Sequence, residues 1–290
     1  MQFHNPETFD DAVAIAASAE GVTRFLAGGT DVLVQLRADV VTPDTLINVK
    51  QIEGVKDIAR EGDGWRIGVA VSGAEMSEHP ELGKEWPGLV EAMDLIGSTQ
   101  IQGRATLTGN LCNGSPAADS VPAMIAAGME ATISGPNGNR RMAVEDIPSG
   151  PGKLNLEKGE MVSALHVPAR GDDAGDAYLR FIPRTEMDIA VVGCGVSLRV
   201  DGDIITEARV ALGAVAPTAL LVDDAANAII GSSLDEKVMD SLAEAASAAC
   251  NPIDDKRGTV KFRTQVASVL AKRTAQIAYD RARGNSGKSS

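Results

Sequence analysis

Residues 22–39, "VTRFLAGGTDVLVQLRAD", constrain the fold of this chain more than any other stretch. A short apolar-biased strand runs straight into two glycines and then into an apolar-periodic segment. The order is therefore strand, glycine turn, helix N-terminus, which requires a mixed α+β layer at the start of the chain. Gly28 and Gly29 can adopt backbone angles closed to other residues. Thr30 is expected to cap the helix, with Val32, Leu33 and Leu36 along one face. Main-chain N–H groups of 28–30 can converge on an anion, and the helix N-terminus behind them adds about 0.3–1 kcal/mol at an exposed site. No Gly-Lys-Ser/Thr follows, and the spacing is not Gly-x-Gly-x-x-Gly, so phosphate-transfer and Rossmann fingerprints are both excluded. A sharp turn into a helix uses the same residues, and both readings stay open here.

A second small-residue stretch, "ATLTGNLCNGSPAADS" (105–120), carries two glycines, two asparagines and a proline but few large side chains. Thr106, Thr108, Asn110, Asn113 and Ser115 add short-range hydrogen-bonding groups, Pro116 fixes a turn, and Asp119 stands just before an apolar segment. A long unstructured loop is uncommon unless it is functional. Two such segments in one domain suit a bulky phosphate-bearing ligand held against the backbone from two sides.

The rest of the chain supplies ordinary elements. Residues 8–19 read as a helix ending before Gly21, "DTLINV" as a strand, and 55–71 as a hairpin turning at "EGDG". "SGAEMSEHPEL" and "PGLVEAMDLIG" read as helices, "VPAMIAAGM" as a short buried helix, and "EATISGPNGNRRMAV" as strand, turn, strand. The acidic, glycine-bearing segment 169–177, "ARGDDAGDA", is the best domain boundary. Beyond it come three strands, two of them joined at "DGD", and three helices around 219–230, 235–250 and 259–282. The expected division is a first domain over 1–174, a second over 175–283 and a disordered tail over 284–290.

A net charge of −13 argues against nucleic acid as the main partner. The charge is uneven: residues 256–283 hold eight Lys or Arg against one acid, Asp280. A solvated helical face accounts for this, and a docking surface for an acidic partner or cofactor is the competing reading. Cys112, Cys194 and Cys250 are too few and too scattered for an iron–sulfur cluster or a zinc site, and they fit a reducing cytoplasm. His4, His79 and His166 are likewise scattered, so no metal site is expected. The N-terminus has early acids and no basic n-region, and no apolar run approaches membrane-spanning length, so neither a secretory signal nor a membrane span is expected.

"FLAGGTDVLVQLR" and "IGSTQIQGRATLTGNLCNGSPAADSVPAMIAAG" resemble the two signatures of the FAD-binding (medium) subunit of molybdenum hydroxylases. Xanthine dehydrogenase-type and carbon monoxide dehydrogenase-type enzymes carry this subunit. The resemblance continues in order through "FIPRTEMDIAVVGCGVSL", "RVALGAVAPTAL" and "DDKRGTVKFR". It implies an FAD-binding fold of the vanillyl-alcohol oxidase type, followed by a small C-terminal domain with a three-stranded antiparallel sheet and helices. It also implies that Phe25, Leu26, Ala27, Gly28, Gly29, Thr30, Asp31 and Val32 wrap the FAD pyrophosphate. Thr106, Thr108, Gly109 and Asn110 fall in its second pyrophosphate loop, and Ile96, Cys112 and Val162 at apolar flavin contacts. Asp119 falls at a cofactor contact, and Arg180 where xanthine dehydrogenase-type members carry a Lys near the flavin. Thr108 departs from the pattern, standing where the family often has the first glycine of a pair. Gln102 and Gly103 replace a frequent Arg-Asn pair.

The function implied is that of a cytoplasmic oxidoreductase subunit that carries electrons through FAD. It would take them from 2Fe–2S clusters on a small partner subunit and pass them to NAD, a quinone or oxygen. Substrate would be oxidised on a molybdopterin large subunit of a heterotrimeric-type complex, itself able to dimerise, so no catalytic acid or base is expected on this chain. Two other readings stay open: a nucleotide-binding regulatory or assembly module without redox turnover, and a stand-alone flavin oxidase.

Overall fold

The structure is a computed structural model and describes residues 1–184 and 186–286. The chain opens with β1 (Gln2–His4), α1 (Phe9–Ser18), β2 (Thr23–Leu26), α2 (Val32–Arg37) and β3 (Thr45–Asn48). The three strands form a parallel sheet in the order β1-β3-β2. Parallel neighbours need crossover connections, which α1 and α2 provide. Thr8 caps α1: its side chain accepts from Asp11 N at 3.1 Å, and Asp10 and Asp11 sit in the positive first turn.

The hairpin β4 (Ile58–Glu61) and β5 (Gly64–Gly68) turns at the expected "EGDG". Six short helices follow: α3 (Gly73–Ser77), α4 (Leu82–Glu85), α5 (Pro87–Asp94), α6 (Thr99–Gln102), α7 (Leu107–Cys112) and α8 (Ser120–Ala126). The single helix expected over "SGAEMSEHPEL" is divided into α3 and α4, because the Pro80 ring biases its predecessor away from helical angles. Then come β6 (Glu130–Gly135), β7 (Gly138–Ala143), the small pair β8 (Pro148–Gly150) and β9 (Lys153–Leu154), and β10 (Met161–Val167). An antiparallel sheet results, in the order β4-β5-β10-β6-β7.

The C-terminal part holds β11 (Ala174–Phe181), β12 (Val192–Asp201), β13 (Ile204–Gly213) and β14 (Leu220–Leu221) in one antiparallel sheet, with α9 (Asp223–Ile229), α10 (Glu236–Ala248) and α11 (Val260–Ser286). The three expected strands are joined by the two-residue β14.

Two apolar clusters form the interior. One includes Ile47, Leu89, Met93, Ile125, Ile133 and Leu165. The other includes Val192, Cys194, Leu212, Ile229, Leu242 and Ala275. Every residue of α8 is buried, because the helix lies against β12 and β13 where those strands carry glycine. A Cβ on Gly195 would stand 2.6 Å from the Pro122 carbonyl oxygen, and one on Gly213 2.7 Å from Pro122 Cγ.

Two expectations are corrected here. Residues 174–177, read as part of a polar boundary, belong to β11 and are buried. Asp176 is tolerated there because Arg170 and Leu89 N both bond its carboxylate. Gly175 is required there because a Cβ would come 2.0 Å from the Ala278 carbonyl oxygen of α11. Residues 284–286, expected in a disordered tail, continue α11, and the remainder of that expected tail lies outside the described residues.

Candidate functional site

The turn after β2 and the approach to α7 meet backbone to backbone. A Cβ on Gly28 would stand 1.9 Å from the Arg104 carbonyl oxygen and 3.3 Å from Ala105 Cα, so only glycine permits this approach. Gly29 has φ +81, the left-handed region that turns the chain into α2. A polar bridge locks the contact: Gln35 Nε2 donates to Asn113 Oδ1 at 2.9 Å, and Asn113 Nδ2 donates to Asp31 Oδ1 at 3.3 Å. Asn113 closes α7 while Gln35 lies on α2, so two helices 78 residues apart in sequence are held side by side.

The second stretch is less loop-like than expected. Residues 107–112 are helix α7, capped by Thr106, whose Oγ1 accepts from Gly109 N at 2.8 Å. Asn110 N bonds the Thr106 carbonyl at 3.0 Å. The amides of Gly109 and Asn110 are therefore engaged within the cap, and Asn110 Oδ1 accepts from Ser120 N and Ser120 Oγ at the start of α8. The donors left over are others. Among the described residues, no acceptor meets the main-chain N–H of Gly28, Gly29 or Thr30, nor that of Leu107 or Thr108 at the start of α7. Two sets of amides, on segments that the Gly28–Arg104 contact brings together, are thus without partners, an arrangement suited to an anionic group.

Thr30 does not cap α2. Asp31 occupies that position without a side-chain bond to the helix amides, and burial raises the pKa of its carboxyl. The apolar face expected of α2 is also not buried: no residue of the helix is, and Leu33 is 51 % exposed. Phe25 and Ala27 pack against the first core, and Leu26 is buried at the end of β2. Val162 is 3 % exposed, pairs with Ile133 and belongs to that core. Ile96 and Cys112 are partly buried against the same core, and burial of its sulfur pushes the Cys112 thiol up to about 12.

Asp119 and Arg180 form a second focus, joining α8 to β11. Arg180 Nη1 donates to Asp119 Oδ2 at 2.8 Å, with side chains 5 % and 12 % exposed. Asp119 Oδ1, Arg180 Nε and Thr108 Oγ1 are buried without partners. Buried polar atoms of this kind carry a cost unless something completes them. Burial pushes the Asp119 carboxyl up to about 6, against the opposing pull of Arg180 and, less, of Tyr178. Tyr178 lies two residues before Arg180 on β11, and burial holds its phenol well above the usual range.

Other polar residues are engaged within the fold. Asp188 bonds Arg184 at 3.1 Å, Arg257 at 3.5 Å and its neighbour Ile189 N, and Arg184 foremost pulls its carboxyl down to about 2; it orders its own turn. His166 bonds Glu61 at 2.5 Å and Thr132 at 2.8 Å on the polar side of the five-stranded sheet. The basic C-terminal segment is largely paired within the chain, through Arg257–Asp188, Arg263–Asp255, Lys272–Asp240, Arg281–Glu91 and Arg283–Asp203. Sequence reading missed Gln35, Lys50 and Tyr178. Lys50 has no motif around it, and the other two act through partners far away in sequence.

Comparison with known proteins gives consistent matches over nearly the whole length. The family described as "FAD binding domain in molybdopterin dehydrogenase" matches residues 1–170, and "CO dehydrogenase flavoprotein C-terminal domain" matches 177–278. The carbon monoxide dehydrogenase medium chain of Hydrogenophaga pseudoflava is 30% identical over 281 residues, covering 97% of this chain and 98% of that one. The xanthine dehydrogenase FAD-binding subunit of Escherichia coli O157:H7 is 28% identical over 284 residues, covering 97% of each. A chain in the solved carbon monoxide dehydrogenase of Hydrogenophaga pseudoflava superimposes with a TM-score of 0.93 at 30% identity, over 97% of this chain and 98% of its own. No helix among the described residues is long and apolar enough to cross a membrane.

Proposed function

The chain belongs to the family of FAD-binding subunits of molybdenum hydroxylases, with FAD as its cofactor, and from that premise we propose that it is the complex's electron carrier. On this reading a 2Fe–2S small subunit delivers electrons, a molybdopterin large subunit oxidises the substrate, and an external acceptor (NAD, a quinone or oxygen) collects the electrons from this chain. When bound, FAD supplies the exchange between one-electron and two-electron carriers; the protein supplies binding, orientation and electrostatics.

The observation that carries the reading is the pair of partnerless amide sets at 28–30 and 107–108, on segments that meet where Gly28 presses on Arg104. They suit a diphosphate bridge: dispersed charge, several acceptor oxygens and a demand for close backbone approach. Gly28 and Gly29 hold one wall, and the Thr106 cap fixes the pitch of the other. The Gln35–Asn113–Asp31 bridge keeps the walls together. Asp119 and Arg180 offer a buried donor–acceptor pair with one unfilled atom on each side, able to orient a polar heterocycle. On this reading the described residues bind and orient, and none of them attacks a substrate.

Purification of the chain with its co-expressed partners tests the proposal. The expected preparation holds about one FAD per chain, bleaches with substrate under anaerobic conditions and recovers with an acceptor. The chain alone should bleach with dithionite and recover in air, yet not oxidise the substrate. A chain that binds FAD but stays oxidised in the assembled, substrate-fed complex would be a regulatory or assembly module instead. Turnover by the isolated chain would make it a stand-alone oxidase.

A further inference from the structure

Lys50 stands at the rim of the seam in the short 3-10 turn (Val49–Gln51) that follows β3. Its ammonium donates to the Ala27 carbonyl at 3.1 Å and to Asn48 Oδ1 at 2.5 Å. Asn48 is itself anchored, its Nδ2 donating to Asn5 Oδ1 at 2.7 Å. Ala27 is the residue before the glycine pair, so Lys50 grips the turn one residue upstream of its unpartnered amides. Both of its acceptors are neutral, and among the described residues no carboxylate pairs with it.

Its electrostatic surroundings run the wrong way for a structural lysine. Burial lowers its pKa first, and the positive charges of Arg104 and Lys56 lower it further. Arg104 is the residue whose carbonyl meets Gly28, and it too forms no ion pair among the described residues. In a chain of net charge −13, the charges that bear on Lys50 are those of Arg104 and Lys56, both positive, and no carboxylate is among its partners. Arg104 and Lys56 are exposed and solvated, but the half-buried Lys50 ammonium, held by neutral acceptors with like charges nearby, gains from an anion beside it.

We propose that Lys50 is a positioning residue and charge partner for the FAD diphosphate: it fixes the Ala27 carbonyl, so the amides of Gly28 and Gly29 stay presented, and lends its positive charge to the bridge beside Arg104. The inference rests on the reading that the two turns hold that diphosphate. It assigns the first turn a cation that the glycine motif lacks.

The test compares wild-type, K50M and K50R chains by FAD titration at about 50 and about 500 mM salt, with thermal unfolding of each apo chain as a check on folding. K50M keeps the length of the stem and loses the charge. Its FAD Kd should rise roughly tenfold to a hundredfold at low salt, the value of one charge-assisted hydrogen bond. Its affinity should also depend less on salt than that of wild type, and K50R should recover most of the loss. Wild-type affinity in K50M overturns the proposal. So does weakened binding that has an unchanged salt dependence and no rescue by K50R, because Lys50 would then act by shape alone. If wild type itself takes up no FAD, the underlying reading of the seam fails and the proposal falls with it.

Discussion

Arg170 Nη1 lies 2.5 Å from Asp176 Oδ1, and the two side chains are 3 % and 5 % exposed. The pair forms at the passage from the first core to β11 and organises everything near it. Arg170 also donates to the carbonyls of Glu85 and Ala174 and lies over the Trp86 ring. The other Asp176 oxygen accepts from Leu89 N at 3.2 Å in the first turn of α5. Arg281 of α11 bonds the Asp176 carbonyl at 2.8 Å and pairs with Glu91 of α5. The segment that reads as a polar linker is thus a buried ionic junction between the two halves.

Asp176→Asn should be strongly destabilising. It leaves the Arg170 charge buried without its counter-charge, a loss of about 3–5 kcal/mol. Urea unfolding should show it as a lowered midpoint with an unchanged slope. A loss below about 1 kcal/mol would place the junction in water, like an ordinary surface pair.

Gly175→Ala tests the same junction from its other side. The added methyl would meet the Ala278 carbonyl at 2.0 Å and Ala282 N at 2.6 Å, both backbone atoms of α11. Backbone cannot swing aside as a side chain can, so the helix must lift from the sheet at a cost of about 1–3 kcal/mol or more. Thermal unfolding should shift downward, and amide exchange should quicken along α11 in particular.

What the sequence discloses follows from how local each determinant is. The "DGD" hairpin, the all-apolar α8 and the strand–turn–helix at 23–37 are written in neighbouring residues, and each forms. Residues 174–177 mislead because their burial depends on Arg170, Leu89 and Ala278, none of them adjacent. The site divides in the same way. Gly28 and Gly29 announce a tight turn, but not that the turn presses on Arg104. Thr30 looks like a cap, yet the left-handed Gly29 moves the cap position to Asp31. Asn113 is visible as a polar residue in a small-residue stretch; its bond to Gln35 is a fact of the fold alone.

Thr108→Ala addresses the departure from the family's glycine pattern. Thr108 is 8 % exposed and its hydroxyl has no partner. Removing a buried unmet hydroxyl should leave the apo chain as stable as before or more stable by about 1 kcal/mol. FAD affinity should move the opposite way if the cofactor completes that hydroxyl. Paired urea and FAD titrations read the two signs separately, and a loss of apo stability above about 1 kcal/mol contradicts the placement.

Asp119 gives the apo chain a pH dependence with a definite sign. Its folded pKa of about 6 lies above its ordinary 3.8, so the folded state holds the proton more tightly than the unfolded. The resulting stabilisation is complete below about pH 4 and is lost as the pH rises through about 6. Two units correspond to about 3 kcal/mol at most. Asp119→Asn should flatten this limb of the stability profile measured by urea midpoints from acid to neutral pH. An unchanged limb in the variant would assign the effect to another group.

Gly28→Ala bears on the seam itself. The new Cβ would stand 1.9 Å from the Arg104 carbonyl oxygen and 2.8 Å from its carbon, so the two turns must part. Separation breaks the register between the amides of 28–30 and those of 107–108, on which an anion spanning the seam depends. Apo stability should fall by about 1–3 kcal/mol, and FAD affinity should fall more than a hundredfold, above about 2.7 kcal/mol. Gly83→Ala is the matched control, because Gly83 lies in α4 with its nearest neighbour, Val90 Cγ2, at 3.9 Å. Alanine in that helix should add about 0.5–1 kcal/mol of stability and leave FAD binding alone. Equal FAD affinities in the two variants would mean that the contact between Gly28 and Arg104 serves packing only, and that the cofactor's diphosphate is held elsewhere.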